Sequence, residues 1–345
     1  MKKSILVLCA IVIGCLMCQS CHKKEKVTTP KITKEQSKKI KNVNVSIIRY
    51  EQDLFNLNPN HLSDGVKQLY GKYPENLVSK NCWANAEMMQ GLKMYITDPI
   101  IKEIYQATQK KFPNMQSVEK ELNEAFKNYL TNFPDASVPK IYTLVPGLDF
   151  ETPSVFGFED NLFICLDMYL GSDYKYYNAS GMPKFISRRC TPERMALDCF
   201  DKGVVYKHLP DKVLLTLLDN MIYEGKKLYF TQIMFPDTKE LDILGFTEEQ
   251  FKWAQDYQGQ VWQYLIEKKM LYSKDEDITR RMIDETPFTR DFGNNSPGRI
   301  GAFIGLQIVK NYMHKNSKLT LEDLLKETDA QKILNLSGYK PNINK

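Results

Sequence analysis

Apolar residues recur at helical spacing along most of the chain, and only three short stretches carry the alternation or clustering of strands. In residues 43–50, Val43, Val45 and Ile47 alternate with Asn44 and Ser46, which predicts a first strand with one face buried. Residues 139–145, with Ile141-Tyr142-Thr143-Leu144, and 161–166, with Leu162-Phe163-Ile164-Cys165, are β-rich runs bounded by Pro, Gly and Asp. They are expected to pair beside the first. The spacing predicts helices over 98–112, with Pro99 in the first turn, and over 117–133, where Leu122, Phe126, Tyr129 and Leu130 form one stripe. Helices resume beyond residue 191. Thr191-Pro192-Glu193 joins a cap residue to a first-turn proline, Thr247-Glu248-Glu249-Gln250 spells a capping box, and Thr320-Leu321-Glu322-Asp323 opens another helix. The expected fold is α+β, mostly helical with a small sheet.

Two helical stretches and one loop carry candidate chemistry. Over 214–230, Leu214, Leu217, Leu218, Met221, Ile222, Leu228 and Tyr229 gather on one face around Gly225, where a second helix is expected to come close. Glu224 sits at the edge of that face within reach of Lys227, so it either points into a cleft or closes an ion pair, and Lys226 lies beside it. Over 296–309, Pro297 is placed in the first turn of a helix that is apolar almost all round. Gly301 and Gly305 recur one turn apart for tight packing, and Arg299 stands at the mouth, suited to an anion or a structural carboxylate. The loop after residue 166 concentrates Asp167, Tyr169, Asp173 and three further tyrosines and is followed by Arg188 and Arg189, a composition suited to binding. Asp167 and Asp173 lack the ligand spacing of a calcium loop. Asp167, Tyr169, Asp173, Arg188, Glu224, Lys226 and Arg299 are the expected lining of a binding cleft.

The N-terminus reads as a signal rather than part of a fold. Lys2 and Lys3, an apolar run over 5–17 and Cys18-Gln19-Ser20 lead to Cys21, the order of export followed by lipidation. The run is shorter than the about 20 residues of a membrane span. Val12-Ile13-Gly14-Cys15 offers a rival lipidation box but leaves only about nine apolar residues before it. The expected organisation is a signal peptide over 1–20, lipidation at Cys21, a lysine-rich tether over 21–41, and a single domain over 42–345. With 345 residues, 43% of them hydrophobic, the chain can bury a sizeable core. The formal charge of +5 falls to +3 when Lys2 and Lys3 leave, and it is spread evenly, so nucleic-acid binding has no compositional support. Cys82, Cys165, Cys190 and Cys199 remain in the body and are expected as buried thiols. On one helix, Cys190 and Cys199 would lie about 13 Å apart, beyond disulfide reach.

No motif names a reaction. HExxH, G-x-S-x-G, the P-loop and G-x-G-x-x-G are missing from the sequence, and outside the signal only His22, His61, His208 and His314 occur, so no metal or cofactor is expected. Six motifs occur in order over nearly all of the mature chain: Ile48-Arg49-Tyr50-Glu51-Gln52-Asp53-Leu54-Phe55, Leu166-Asp167-Met168-Tyr169-Leu170-Gly171, Met221-Ile222-Tyr223-Glu224-Gly225-Lys226, Pro287-Phe288-Thr289, Ser296-Pro297-Gly298-Arg299-Ile300-Gly301 and Ser337-Gly338-Tyr339-Lys340-Pro341. Together they resemble the GldB-type gliding-motility lipoproteins of the Bacteroidota. That resemblance implies a lipid-anchored cell-envelope protein associated with gliding and with the type IX secretion machinery.

A fainter similarity links the Glu224-Gly225 helix and the helix carrying Gly301 to zincin-type predicted zinc-dependent proteases. There Glu224 matches a glutamate that can hold the metal, while Lys226 and Lys227 replace small apolar residues and the metal-binding histidines are missing. The implied scaffold is zincin-like but non-catalytic, joined to the membrane by its lipid and to an envelope protein or peptide partner by its cleft. A metal-dependent hydrolase using Glu224 is the alternative. Surface lipoproteins of this phylum tend to be acidic after the lipidated cysteine. Here His22-Lys23-Lys24-Glu25-Lys26 is mainly basic, so a periplasm-facing location is expected.

Overall fold

The computed structural model describes residues 27–343, and the expected signal and Cys21 lie outside the described residues. Strands β1 (Ile47–Ile48), β2 (Lys140–Leu144), β3 (Val155–Phe158) and β4 (Asn161–Cys165) form one sheet in the order β1-β2-β4-β3. β1, β2 and β4 run parallel, and β3 pairs antiparallel to β4. Ile47, Ile141, Leu162 and Ile164 face the main helical core. Tyr142 and Phe163, stacked at 5.6 Å, face a smaller cluster built with Tyr50, Val66, Leu69, Tyr73 and Val78. Burial on both faces explains why β2 and β4 read as apolar runs rather than as alternation.

β1 is shorter than the alternation of 43–50 predicts, because Tyr50 already opens the helix Tyr50–Phe55. The N–H of Val45 donates to Asn123 Oδ1 at 2.7 Å and that of Ile47 to Glu119 Oε1 at 2.9 Å. Two helical side chains one turn apart thus cover an edge that would otherwise offer its donors to another chain.

Five helices frame the sheet and the charged interior: α1 (Lys34–Lys41), α2 (Gln116–Asn132), α3 (Met195–Asp201), α4 (Leu217–Met234) and α5 (Ile300–Lys315). Their starts mostly follow local caps. Asp98 caps Pro99–Lys111, Thr247 forms the expected box with Gln250, and the helix expected at Thr320 opens on a box of Thr320 with Asp323. Thr216 and Asp219 open α4 with another box, a few residues later than the apolar periodicity places it. Thr191 makes no side-chain cap bond, and Pro192–Arg194 form one 3-10 turn before α3. α5 begins at Ile300 rather than around Pro297, because Arg299 is left-handed at φ +58° and cannot continue a helix. Upstream, Ser296 is occupied in a closed loop: its hydroxyl accepts from Thr289 N at 3.1 Å and donates to Gly293 O at 2.7 Å.

α1 falls inside the stretch expected as a tether. Thr33 and Gln36 cap it reciprocally, Gln36 Nε2 donates to Asp135 Oδ1 at 2.9 Å, and Lys39 Nζ to Ala136 O at 2.6 Å. Thr28 Oγ1 donates to Ser317 O at 2.6 Å, so residues 28–41 are docked onto the ends of α2 and α5. The four cysteines of the body are free and buried, as the sequence suggests.

α4 and α5 touch backbone to backbone at Gly225 and Gly305. A Cβ on Gly305 would lie 1.8 Å from the Met221 carbonyl oxygen, and one on Gly225 would lie 2.4 Å from the carbonyl of Gly305. Gly301 faces a different neighbour, the Met282 carbonyl of the helix Glu276–Ile283. Gly305→Ala should therefore destabilise the protein by about 1–3 kcal/mol in urea unfolding, against the usual gain for Gly to Ala in a helix. Gly91→Ala, in a helix position with nothing within 4 Å of its Cβ, should instead add about 0.5–1 kcal/mol.

Candidate functional site

The site is built on a chain of alternating charges, buried at Arg194, Asp198 and Lys227 and partly exposed at Lys202 and Glu285. Arg194, Asp198 and Lys202 recur at four-residue intervals along α3 and its end, so their side chains meet on one face. Arg194 Nη2 donates to Asp198 Oδ1 at 2.8 Å and Lys202 Nζ to Asp198 Oδ2 at 2.9 Å. Tyr169, fully buried, donates its hydroxyl to the same Oδ2 at 3.0 Å. Burial alone would raise the Asp198 carboxyl, but Lys202, Arg194 and Arg189 outweigh it and hold it well below the usual carboxylate range. Asp201 is likewise buried, yet is lowered by Lys227 and Arg299.

The second half of the chain joins α4 to α5. Glu285 accepts from Arg189 Nη1 and, at 3.5 Å, from Arg299 Nη1. Arg299 Nη2 donates to Glu224 Oε2 at 2.9 Å, and Lys227 Nζ reaches both Glu224 oxygens at 3.1 and 3.3 Å. Burial opposes the charge on Arg299, but Glu224, Glu285 and Asp201 raise its pKa further.

Beside this chain opens a cleft of about 520 Å³. Its inner side carries Arg188, Arg189 and Arg194, and its exposed side Glu121, Glu193, Asp237, Lys239 and Asp242. Arg188, Arg189, Glu285 and Arg299 also bound an adjoining recess of about 20 Å³, room for one water. The arginines are held by the end of the short helix Glu240–Leu244. Arg188 Nη2 donates to Gly245 O at 2.9 Å and Nη1 to Gln250 Oε1 at 3.3 Å, while Arg194 Nη1 donates to Asp242 O and, at 3.3 Å, to Ile243 O. Burial raises the Glu121 carboxyl, and neighbouring Glu193 adds to it.

Of the seven residues expected to line one cleft, only Arg188 lines the opening of about 520 Å³; Arg299 borders the adjoining recess, Glu224 is reached from there through its pair with Arg299, and Tyr169 is joined through Asp198. The other three lie elsewhere. Asp173 is exposed. Lys226 is buried on another side of α4, where Nζ donates to Glu327 O and, at 3.3 Å, to Leu325 O, capping the helix Leu321–Lys326; burial lowers its pKa to about 8. Asp167 is fully buried after β4, and its Oδ2 accepts from Gly147 N at 2.8 Å and Leu148 N at 2.7 Å. It thereby holds a turn after β2 in which both residues are left-handed, at φ +86° and +62°. Asp167 Oδ1 has no partner among the described residues, and burial raises this carboxyl to about 6 against the two N–H bonds.

The sequence pattern alone does not bring out the ionic role of Arg194, Asp198 and Lys202, although their spacing carries it, nor does it reveal Glu285, which has no local signature. A second pocket, about 340 Å³ and mainly apolar, lies at the carboxyl ends of β1 and β2 between Tyr50, Leu54, Met88, Leu92 and Val145. Among the described residues no three His, Cys, Asp or Glu side chains are grouped to hold a metal ion. His208 is a core residue, 2.8 Å from the Tyr129 hydroxyl and stacked on Phe133 at 4.0 Å, and burial lowers its pKa to about 4.

Fold and cleft together define a helix-rich α+β domain with a charged cleft braced by buried ion pairs. The chain belongs to the gliding motility protein GldB family, whose model matches residues 31–341 and so includes α1. No curated protein and no solved structure matches the chain.

Arg299→Met should cost about 2–3 kcal/mol in denaturant unfolding, because it strips a partner from the largely enclosed Glu224, with a smaller share from the more exposed Glu285; adding Glu224→Gln should recover part of that loss. Asp167 gives the stability a pH dependence. Its folded pKa lies above its unfolded value, so its contribution is fully present below about pH 4 and is lost as pH rises through about 6. Relative to Asp167→Asn, the unsubstituted protein should lose on the order of 1–3 kcal/mol between pH 4 and 7 in parallel urea titrations.

Proposed function

We propose that this chain is a lipid-anchored docking component of the gliding apparatus, held at the membrane through Cys21 and facing the periplasm. In this reading its zincin-like body presents the charged cleft to a protein or peptide of the envelope, in association with the type IX secretion machinery, and catalyses no reaction. Family membership supports the association with gliding. The observation that carries the binding role is the cleft of about 520 Å³, whose inner arginines are fixed by carbonyls and carboxylates before any ligand arrives. Such preorganisation favours recognition, since little ordering remains to be done on binding. The hydrolase alternative would need Glu224 as a metal ligand or base. In its present setting that carboxylate is closed between Arg299 and Lys227, which favours docking.

The test is photo-crosslinking in living cells from positions 193 and 239 at the cleft, with position 87 on another face as control. A discrete envelope partner captured only from the cleft, in membrane fractions that a Cys21→Ala variant leaves, is the expected result. Stoichiometric zinc in the purified protein, with a peptidase activity abolished by Glu224→Gln, would overturn the reading, and removal of the body by protease on intact cells would overturn its periplasmic side.

A further inference from the structure

We propose that the cleft seats a carboxylate carried by a peptide whose flanking residues are basic or neutral, with Arg188 as the principal contact. This names the partner chemistry of the proposed docking role and rests on it.

The inner wall carries three arginines, and carboxylates pair with two of them: Arg189 with Glu285 and Arg194 with Asp198. Arg188 is the third, at the cleft surface: among the described residues its bonds go to a backbone carbonyl and an amide oxygen, both neutral. Arg189 Nη2 and Arg194 Nε are buried donors without a partner among the described residues. Partly buried guanidinium charge of this kind gains most from a carboxylate, whose two oxygens match the planar fork, and the adjoining recess has room for one water to carry the bond on to Arg189.

The outer side selects which carboxylate can enter. Glu121, Glu193, Asp237 and Asp242 stand around the cleft mouth, with Lys239 the cation among them. A uniformly anionic surface, such as a bilayer of acidic lipid, meets these carboxylates before it meets the arginines and is repelled. A peptide with one acidic residue between basic ones meets both charge layers in the right order. Glu121, whose ionisation is opposed by burial and by Glu193, is relieved by a basic flank. The volume of about 520 Å³ lies within the range of ligand pockets and fits a side chain and its neighbours rather than a folded surface.

The experiment is fluorescence anisotropy on the full-length lipoprotein in detergent, with a fluorescein-labelled peptide of serine and lysine carrying one central glutamate. The expected result is saturable binding that weakens about tenfold or more when the peptide glutamate becomes glutamine, and equally when the protein carries Arg188→Gln. Arg188→Lys, which keeps the charge and removes the fork, serves if the glutamine variant fails to fold, and should also weaken binding. Glu193→Gln should shift preference toward peptides with acidic flanks. Equal binding of the glutamate and glutamine peptides, or competition by phosphatidylglycerol vesicles, would overturn the proposal. If crosslinks from position 193 still captured an envelope protein while neither peptide bound, the carboxylate seat would fall and the docking role would stand.

Discussion

A charge in a protein interior persists only where another charge or a set of dipoles faces it, and the middle of this molecule is organised around that requirement. From Lys202 through Asp198 and Arg194, and from Arg189 through Glu285, Arg299 and Glu224 to Lys227, buried and half-buried cations and carboxylates alternate. The pairs brace α3 and connect α4, the mouth of α5 and the loops before them. Ion pairs of this kind add little net stability over a well-packed apolar core, but breaking one is expensive, so they act as a registry that admits few arrangements of the surrounding elements.

The contact of α4 with α5 works in the same direction by steric means. Gly225 and Gly305 let two backbones meet with no side chain between them, which fixes the sliding position of one helix on the other. Glu224, one residue before Gly225, is thereby brought to Arg299 at the mouth of α5, and the ion pair and the glycine contact enforce a single relative placement. The arginines of the cleft inherit their positions from this frame, because Glu285, which orients Arg189, is itself tied to Arg299.

Much of the fold is legible in the sequence because its signals are local. Capping boxes at Thr247 and Thr320, and the apolar stripe of α2, involve residues within a few positions of one another and fix helix starts with little tertiary interference. The alternation of 43–50 overstates β1, whose neighbouring donors are taken by Asn123 and Glu119, partners 78 and 72 residues away. The start of α5 is misplaced by sequence for a similar reason: Pro297 looks like a first-turn residue, but Arg299 adopts a left-handed backbone beside carboxylates 14 and 75 residues distant. In the candidate site, Glu224, Arg188 and Arg299 are identifiable as charged residues bordering apolar stretches. Lys226 joins them by sequence adjacency alone, whereas one step along a helix turns a side chain by about 100° and delivers it to another neighbour.

The docking of residues 28–41 shortens the slack available to the body. Thr28, Gln36 and Lys39 each bond a part of the body far away in sequence, so this stretch belongs to the folded unit. A segment fastened this way cannot lengthen, so any tether that carries the body is shorter than the sequence suggests by the whole of this stretch.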